Sequence, residues 1–284
     1  MNLRLANFTL FSDLSWLWRA SYVGVGLTAL GLVLLYKNQN YLLYIPNPPG
    51  LPRTPRDNPP GYQAPSQWTT SGSVLSSLPT SKAAQDSPSN AIHYEEEMLV
   101  TKDGVKIHVW VMLQPDHPSN NKYPTLIYFH GNAGNMGFRL PNAVHMFARS
   151  KLNIVMMDYR GYGSSSGEPN EEGLNLDADT VLEFVSKHPK LSSSPIFLFG
   201  RSLGGAVSVA LAHRHPDLVA GIVLENTFLS ISAMVDILMP WLSWIKKFVL
   251  RINWDSHLKI QQLTQPILFI SGSSLHSRPS KKIY

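Results

Sequence analysis

The sequence predicts a mostly parallel, doubly wound α/β sheet, and two observations lead to this prediction. Short apolar runs of strand length recur between residues 125 and 270, and segments of helical length separate them. Two further strand-like runs flank the turn Lys102-Asp103-Gly104 and precede this series. A hairpin followed by repeated strand–helix units is typical of such a sheet. Right-handed connections then place helices on both of its faces.

The predicted elements lie within a folded core over residues 93–272. The hairpin strands are 97–101 and 105–113, and the Asp-Gly dipeptide between them favours a tight turn. The later strands are predicted at 125–129, 153–157, 196–199, 221–224 and 266–270, and the helices at 140–150, 171–188 and 204–213.

Composition narrows the function classes. The 284 residues are enough for one α/β domain with appendages, and 44% apolar residues is ordinary for a globular protein. A net charge of +5 allows anionic partners such as lipid headgroups, but no basic cluster is interleaved with aromatics, so we expect no nucleic acid. The absence of cysteine excludes disulfides, a cysteine nucleophile and thiolate metal sites. We expect no metal or cofactor.

An uncharged apolar run over residues 20–36 predicts a transmembrane anchor after a lead-in of residues 1–19. Trp16 and Trp18 precede it and Tyr36, Tyr41 and Tyr44 follow, as interfacial aromatics do. A cleaved signal peptide and a buried helix are the alternatives. Basic residues stand on both sides of the run, so the charge pattern predicts neither orientation nor whether the membrane is an endomembrane or the plasma membrane.

Residues 37–92 are predicted to be a Pro/Ser-rich linker or a loose wrap. They contain two Pro-Pro-Gly tripeptides and many serines, and they lack apolar periodicity. We therefore expect this segment to bury too little surface to offset its own chain entropy.

Residues 200–204 read Gly-Arg-Ser-Leu-Gly, which fits the G-x-S-x-G nucleophile elbow. The pentapeptide follows one predicted strand directly and opens a predicted helix, which is the context that this motif requires. Its glycines relieve crowding at a turn that strains the serine backbone. The turn lifts the hydroxyl above the carboxyl edge of the sheet, where open α/β sheets bind ligands. Ser202 is therefore the predicted nucleophile.

A small, Gly-rich loop over residues 130–135, His-Gly-Asn-Ala-Gly-Asn, follows the strand at 125–129. Attack on an acyl carbonyl develops negative charge on its oxygen, which two preorganised backbone N–H groups can stabilise. In folds with this elbow, one N–H comes from the residue after the nucleophile and the other from such a loop. We predict Leu203 and Asn132 in these roles, with Ala133 as the next candidate. A phosphate-binding loop is the alternative, but the spacing fits neither a P-loop nor a dinucleotide fingerprint.

Three other polar groups are interpreted as structural. His130 precedes the serine in the chain, whereas the base of such enzymes comes last. Asp158 and Arg160 are expected to fix the loop that follows the strand at 153–157, and residues 225–227 (Glu-Asn-Thr) are expected to do the same after the next strand.

These motifs together resemble one family, the membrane-anchored α/β-hydrolases typified by alpha/beta hydrolase domain-containing protein 13 and the fungal bud-emergence-suppressor proteins. The resemblance is carried by residues 40–46, 130–135, 158–163, 200–206 and 225–228 and extends from the anchor through Gly272. It implies an α/β-hydrolase fold and serine hydrolase chemistry on esters or thioesters at a membrane. It supplies no physiological substrate.

The chain departs from this pattern after Gly272. The triad acid is expected near position 275, where this chain has Leu275, and residues 273–284 contain no Asp or Glu. The triad histidine is expected after one further strand, beyond Tyr284. His276 and His257 are weak substitutes on position alone. We expect a truncated or mis-predicted C-terminus, with residues 273–284 an aberrant tail and the last strand and helix missing.

The sequence therefore predicts a membrane-anchored serine hydrolase that is impaired as written, because the triad Asp and His are absent. The alternative is a non-catalytic membrane protein that keeps the fold as a binding or scaffolding module. Residues 227–251 are apolar with interspersed cations and are predicted to form a cap; a membrane-touching helix is the alternative. The expected partners are the lipid bilayer and an acyl ester or thioester substrate, and the oligomeric state is left open.

Overall fold

The computed structural model describes residues 15–74, 90–115 and 123–272 of the chain. Its strands β1 to β7 are Tyr94–Val100, Lys106–Met112, Thr125–Phe129, Asn153–Met157, Ile196–Arg201, Val219–Glu225 and Ile267–Ile270. Its helices α1 to α8 are Ser15–Lys37, Gln39–Leu43, Leu140–Ser150, Glu171–Lys187, Leu203–Arg214, Ile231–Leu238, Lys246–Val249 and Ser256–Ile260. Short 3-10 helices lie at Pro55–Asp57, Pro65–Gln67, Met136–Arg139 and Pro240–Leu242.

The strands form one seven-stranded sheet in the order β1-β2-β4-β3-β5-β6-β7. β1 and β2 are antiparallel to each other, β2 is antiparallel to β4, and all later pairs are parallel. The carboxyl ends of β3, β5 and β6 therefore meet at one edge, where ligands of open α/β sheets bind. The predicted fold class is confirmed.

Side chains of the central strands alternate between two cores, because successive strand residues point to opposite faces. On β3, Ile127 and Phe129 pack with helices α4 and α5, whereas Leu126 and Tyr128 pack with α3. α5 is buried along nearly its whole length. The sheet is thus covered on both faces, as the right-handed connections predicted.

The bounds of β3, β4 and α3 are those predicted. β1 begins at Tyr94, three residues before the predicted start, and carries three consecutive glutamates, Glu95 to Glu97, on an outer strand. Its ladder to β2 pairs Tyr94 with Met112. Backbone pairing extends this strand into a stretch whose charged side chains gave no apolar signal.

Residues 37–74 bury more side chains than a linker would, and they lie closer to the alternative of a wrap. Asn58 and Trp68 are buried, and Trp68 donates from Nε1 to the Gly61 carbonyl at 2.8 Å. Asn58 and Asn135 exchange side-chain hydrogen bonds of 2.8 and 3.0 Å. Single anchoring side chains and hydrogen bonds to the core, rather than a periodic apolar face, hold this collar of residues 37–74 in place.

The segment predicted as a cap contains α6, a 3-10 turn and α7. Ser230 caps α6 by accepting from the Ala233 N–H at 3.0 Å. Ile231, Val235 and Leu242 are buried against the domain.

β7 is the last strand of the described sheet, and its apolar side chains Leu268, Phe269 and Ile270 are exposed. Residues 273–284, where the aberrant tail and His276 were predicted, lie outside the described residues.

α1 is longer than the predicted anchor of residues 20–36. By length and composition, Trp16–Lys37 is able to cross a membrane, and none of its apolar window is buried. An exposed apolar helix is what a lipid environment accommodates.

Candidate active site

Ser202 lies at the junction between β5, which ends at Arg201, and α5, which begins at Leu203. Its φ of +53° and ψ of −115° place a non-glycine residue in a strained backbone conformation. The Ser202 N–H donates to the Glu225 carbonyl at 3.0 Å, and the Ser202 carbonyl accepts from Gly205 N–H at 2.9 Å. The strand, strained turn and helix predicted for an elbow are all present.

Glycines around Ser202 are dictated by close backbone approach. A Cβ on Gly200 would collide with the carbonyl of Gly204, and a Cβ on Gly204 would collide with the carbonyl of Phe129. A Cβ on Gly205 would collide with the side chain of Thr227. Side chains at these positions would push α5 away from β3 and β6, so the glycines set the height of the elbow.

The residues that follow β6 fasten the elbow from the other side. The Thr227 hydroxyl donates to the Ser202 carbonyl at 2.9 Å. Asn226, with φ +46°, donates from its backbone to Ile270 O at 2.9 Å and accepts from Gly272 N–H through its side chain at 3.0 Å. The turn predicted to be loop-fixing therefore joins Ser202 to the end of β7.

The loop of residues 130–135 lies beside Ser202. An ideal Cβ on Gly131 would lie 3.8 Å from the Ser202 Cβ. The Asn132 carbonyl accepts from the Ile45 N–H and the Tyr162 hydroxyl, both at 2.9 Å, and its side-chain amide donates to Leu43 O at 2.9 Å. These contacts with the collar and with Tyr162 fix the peptide of Asn132.

Two backbone donors are left for a ligand. Among the described residues, neither the Asn132 N–H nor the Leu203 N–H donates a hydrogen bond. Leu203 opens α5, and the first N–H groups of a helix have no partner within the helix. The two N–H groups predicted to stabilise an oxyanion are therefore unpaired, one on each side of Ser202.

His130 is fully buried, and its Nδ1 lies 2.7 Å from the Gly131 carbonyl oxygen. That geometry places the proton on Nδ1, since a carbonyl can only accept. Burial lowers the pKa of His130 to about 4, although the nearby Asp158 opposes the shift. At neutral pH, His130 is an uncharged residue of the loop, in keeping with its structural interpretation.

Asp158 is fully buried and accepts from the Met136 N–H at 2.7 Å, which fixes the end of the same loop. Its carboxylate lies 3.8 Å from His108 and 3.7 Å from His130. Burial alone would lower the pKa of His108, but its contacts with Asp158 and Glu96 outweigh burial and raise it. These groups support the loop rather than face Ser202.

Arg160 joins two carboxylates, since it donates to Asp177 at 3.0 Å and to Asp103 at 2.7 Å. Burial raises the pKa of Asp177 to about 6 even against this ion pair, and the guanidinium of Arg160 holds the pKa of Asp103 well below its usual range. Arg160 thus ties the β1–β2 turn to α4, a structural task.

No acid or base of a triad accompanies Ser202 in residues 15–74, 90–115 and 123–272, where its hydroxyl has no hydrogen-bond partner. His257 lies near the site, but it contacts Leu229, its Nδ1 being 3.4 Å from the carbonyl oxygen. A cavity of about 360 Å³ opens beside the elbow, lined by residues of the β6 and β7 ends and α8, including Thr227, Phe228 and Phe269. Sequence patterns could not have predicted the hydrogen bond from Thr227 to Ser202, because the two residues lie 25 positions apart.

Comparison with known proteins shows the family to which the chain belongs. The family model described as "Serine aminopeptidase, S33" matches residues 121–274, which include every residue of the candidate site. Protein bem46 of Schizosaccharomyces pombe is 37% identical over 250 residues, covering 87% of this chain and 73% of that protein. A Saccharomyces cerevisiae protein named as an uncharacterized membrane protein is 31% identical over 264 residues, covering 90% and 80%.

A solved structure shows the same fold. The crystal structure of an α/β-hydrolase from Vibrio vulnificus matches with a TM-score of 0.52 at 19% identity, over 63% of each chain. Fold and site thus define a protein of the α/β-hydrolase class. The chain belongs to the hydrolase family that the matching model describes, and the predicted resemblance to the fungal bud-emergence-suppressor proteins is confirmed.

Proposed function

We propose that the chain is a membrane-anchored serine hydrolase that cleaves an ester or thioester by acyl transfer. One observation carries the proposal: Ser202 occupies a strained strand–helix junction with φ +53°, and the unpaired N–H groups of Asn132 and Leu203 flank it. This arrangement matches the demands of attack on a carbonyl, which needs a raised hydroxyl and preorganised donors for the developing charge.

The proposed chemistry has two steps. The Ser202 oxygen forms a bond to the acyl carbon as the bond to the leaving oxygen or sulfur breaks, and the hydroxyl proton passes through a base to the leaving group. Water then attacks the acyl-serine, releases the carboxylic acid and restores the hydroxyl. In both steps the N–H groups of Asn132 and Leu203 stabilise the oxyanion, and loss of one such donor typically costs about 10²- to 10³-fold in turnover.

We propose that turnover by the 284-residue chain is low. Its sequence contains no Asp or Glu after Asp255, so it supplies no triad acid at the expected position. Without a base, a serine hydroxyl is a poor nucleophile at neutral pH. Removing triad members typically costs about 10⁴- to 10⁶-fold, and the oxyanion donors leave a residue of roughly 10³ over water.

The membrane part of the proposal has its own support. α1 is exposed, apolar and long enough to span a bilayer, and a relative is named as a membrane protein. We expect the full chain to stay in the membrane pellet after alkaline carbonate extraction. Leu27→Arg combined with Leu30→Arg should release it, since each Arg near the centre of a span costs about 2.5–3.5 kcal/mol. Leu218→Arg, on an exposed loop, is the matched control.

The catalytic test is covalent labelling by a fluorophosphonate, with and without imidazole as an external base. We expect slow labelling of the full chain, acceleration by imidazole, and no labelling of Ser202→Ala. Ser164→Ala, which removes an exposed serine elsewhere, should label like the parent. The rate of thioester hydrolysis, after subtraction of the rate with imidazole alone, should rank the parent and the two variants in the same order as the labelling rate does.

The opposite outcome would favour the binding or scaffolding module. If imidazole leaves labelling unchanged and Ser202→Ala labels as fast as the parent, Ser202 is not an activated nucleophile and the hydrolase proposal fails.

A further inference from the structure

The outer side of the cap carries large aromatic side chains that are mostly exposed. Trp241, Trp244 and Phe248 are 66%, 80% and 84% exposed. Single exposed apolar residues are common on soluble proteins, but a contiguous group marks an interaction surface. We call these three residues the cap face.

The backbone places these residues on one side. Helical hydrogen bonds run through the segment, from Ser243 N–H to Pro240 O and from Phe248 N–H to Ile245 O. Spacings of three and four residues then put positions 241, 244 and 248 on a common side. Leu242 lies on the opposite side, where it is buried against the domain. The cap is therefore amphipathic, with its inner side packed and its outer side uncovered.

The cap is fastened to the start of α2, directly after α1. The buried Gln39 donates to the Val249 carbonyl at 2.7 Å and accepts from the Arg251 N–H at 2.8 Å. The guanidinium of Arg251 lies 4.9 Å from the centre of the Tyr36 ring. An apolar cavity of about 180 Å³ separates the two elements and is lined from α1 by Leu35 and from the cap by Met234 and others. The cap thus lies where α1 would leave a bilayer.

The charges around the cap face complement anionic headgroups. Lys247 and Arg251 are exposed, and Lys37 ends α1 beside them. Residues 227–251 contain one acidic residue, Asp236, which pairs with Lys246. Aromatics at the depth of the headgroups with cations next to them are typical of membrane-interface surfaces.

We propose that the cap face docks onto the same bilayer that α1 spans, with an anionic leaflet as its occupant. The inference rests on the anchor in the proposed function and deepens that function. Because the cap lies beside the elbow, docking of the cap brings the elbow close to the membrane. The substrate class is then an acyl ester or thioester that resides in the bilayer. The chain then contacts the membrane twice, through α1 and through the cap face.

The absence of cysteine makes the test direct, because a single introduced cysteine carries the only probe. The full chain bearing Trp244→Cys is labelled with an environment-sensitive fluorophore and reconstituted into phosphatidylserine-containing vesicles. Brominated acyl chains should quench it at least threefold more than a fluorophore at Leu218→Cys, and iodide should quench it less. Leu218 is exposed and precedes β6, at the sheet edge opposite the site, so it is the matched control.

Two outcomes would overturn the proposal. Equal quenching by iodide at both positions means that the cap face remains in water. Shielding from both iodide and brominated lipid means that protein, such as a second copy of the chain, covers it. Lys247→Glu should reduce quenching by brominated lipid at position 244 in anionic vesicles and leave it unchanged in phosphatidylcholine vesicles. If the substitution changes quenching equally in both kinds of vesicle, the charge of Lys247 has no role in docking.

Different measurements test the docking surface and the proposed function. Retention in the membrane pellet after alkaline carbonate extraction reports the anchor, because a peripheral contact through the cap face does not survive that treatment. Fluorophosphonate labelling in detergent reports Ser202 alone, and Trp244→Cys should leave it unchanged. Quenching at position 244 reports the cap face.

Discussion

The Thr227 hydroxyl donates a 2.9 Å hydrogen bond to the carbonyl oxygen of Ser202, and thereby joins the end of β6 to the strained residue at the end of β5. Thr227 touches the backbone and not the serine hydroxyl, so it is a positioning residue. It resists the relaxation that a φ of +53° would otherwise favour.

Thr227→Val should therefore slow imidazole-assisted labelling of Ser202. Loss of a hydrogen bond worth about 1 kcal/mol corresponds to roughly fivefold in rate. Thr227→Ser keeps the donor and should restore most of the rate, which a purely steric role would not predict. Equal rates for the Val and Ser variants would contradict the assignment.

Gly204→Ala should destabilise the domain. The new Cβ would collide with the carbonyls of Phe129 and His130, and neither backbone can move without displacing β3. We expect the free energy of unfolding to fall by about 2–4 kcal/mol, as for other overpacked cores. Gly272→Ala, which has no atom within 4 Å of its Cβ, should change it by less than about 0.5 kcal/mol. Denaturant unfolding of the two variants side by side measures the difference.

His130 should make the domain less stable in acid. Burial lowers its pKa in the folded chain to about 4 from the ordinary value of about 6.5, so the unfolded chain binds the proton first as the pH falls. The contribution of His130 to the free energy of unfolding is complete above pH 6.5 and is lost between pH 6.5 and pH 4. It amounts to roughly 3 kcal/mol, since each pH unit between the two pKa values corresponds to about 1.4 kcal/mol. His130→Gln should flatten the stability profile in that window, whatever its effect at pH 7. The exposed His145→Gln should leave the slope unchanged.

His108 acts in the opposite direction, because its pKa is raised. Its contribution is present below pH 6.5 and is lost as the pH rises through the folded-state value. Asp177, whose pKa is raised to about 6, also opposes His130 at lower pH. The slope attributed to His130 is therefore the difference between the parent and His130→Gln, in which the contributions of His108 and Asp177 cancel.

Asn58→Ala should loosen the collar. Removing this side chain takes away two hydrogen bonds, each worth about 0.5–1.5 kcal/mol, although the buried Asn135 amide keeps its bonds to Pro52, Arg53 and Gly137. Limited proteolysis should then cut residues 47–74 sooner than in the parent. Asn47→Ala, at an exposed position, serves as the control. Unchanged proteolysis of Asn58→Ala would show that the collar does not depend on this pair.

The sequence predicted the elements whose signal is local. β3, β4 and α3 had the observed bounds because each is an apolar run or a periodic helix between clear breakers. The elbow was equally readable, since Gly200, Ser202 and Gly204 stand within five residues between a strand and a helix.

What the sequence missed depends on contacts between distant residues. Asn58 and Asn135 lie 77 positions apart, and Gln39 and Val249 lie 210 apart. No composition or periodicity announces such hydrogen bonds, so the collar looked like a linker. The roles of Ser202, Asn132 and Leu203 stay predictions, supported by their geometry.

Gln39, the first residue of α2 and two positions after the end of α1, ties the chain to the cap. Its amide donates to the Val249 carbonyl and accepts from the Arg251 N–H, so a tilt of α1 that displaces Gln39 strains these bonds or moves the cap. The tilt of a spanning helix responds to the thickness of the hydrocarbon layer around it. Through this one side chain, bilayer thickness would set the angle at which the cap stands over the elbow.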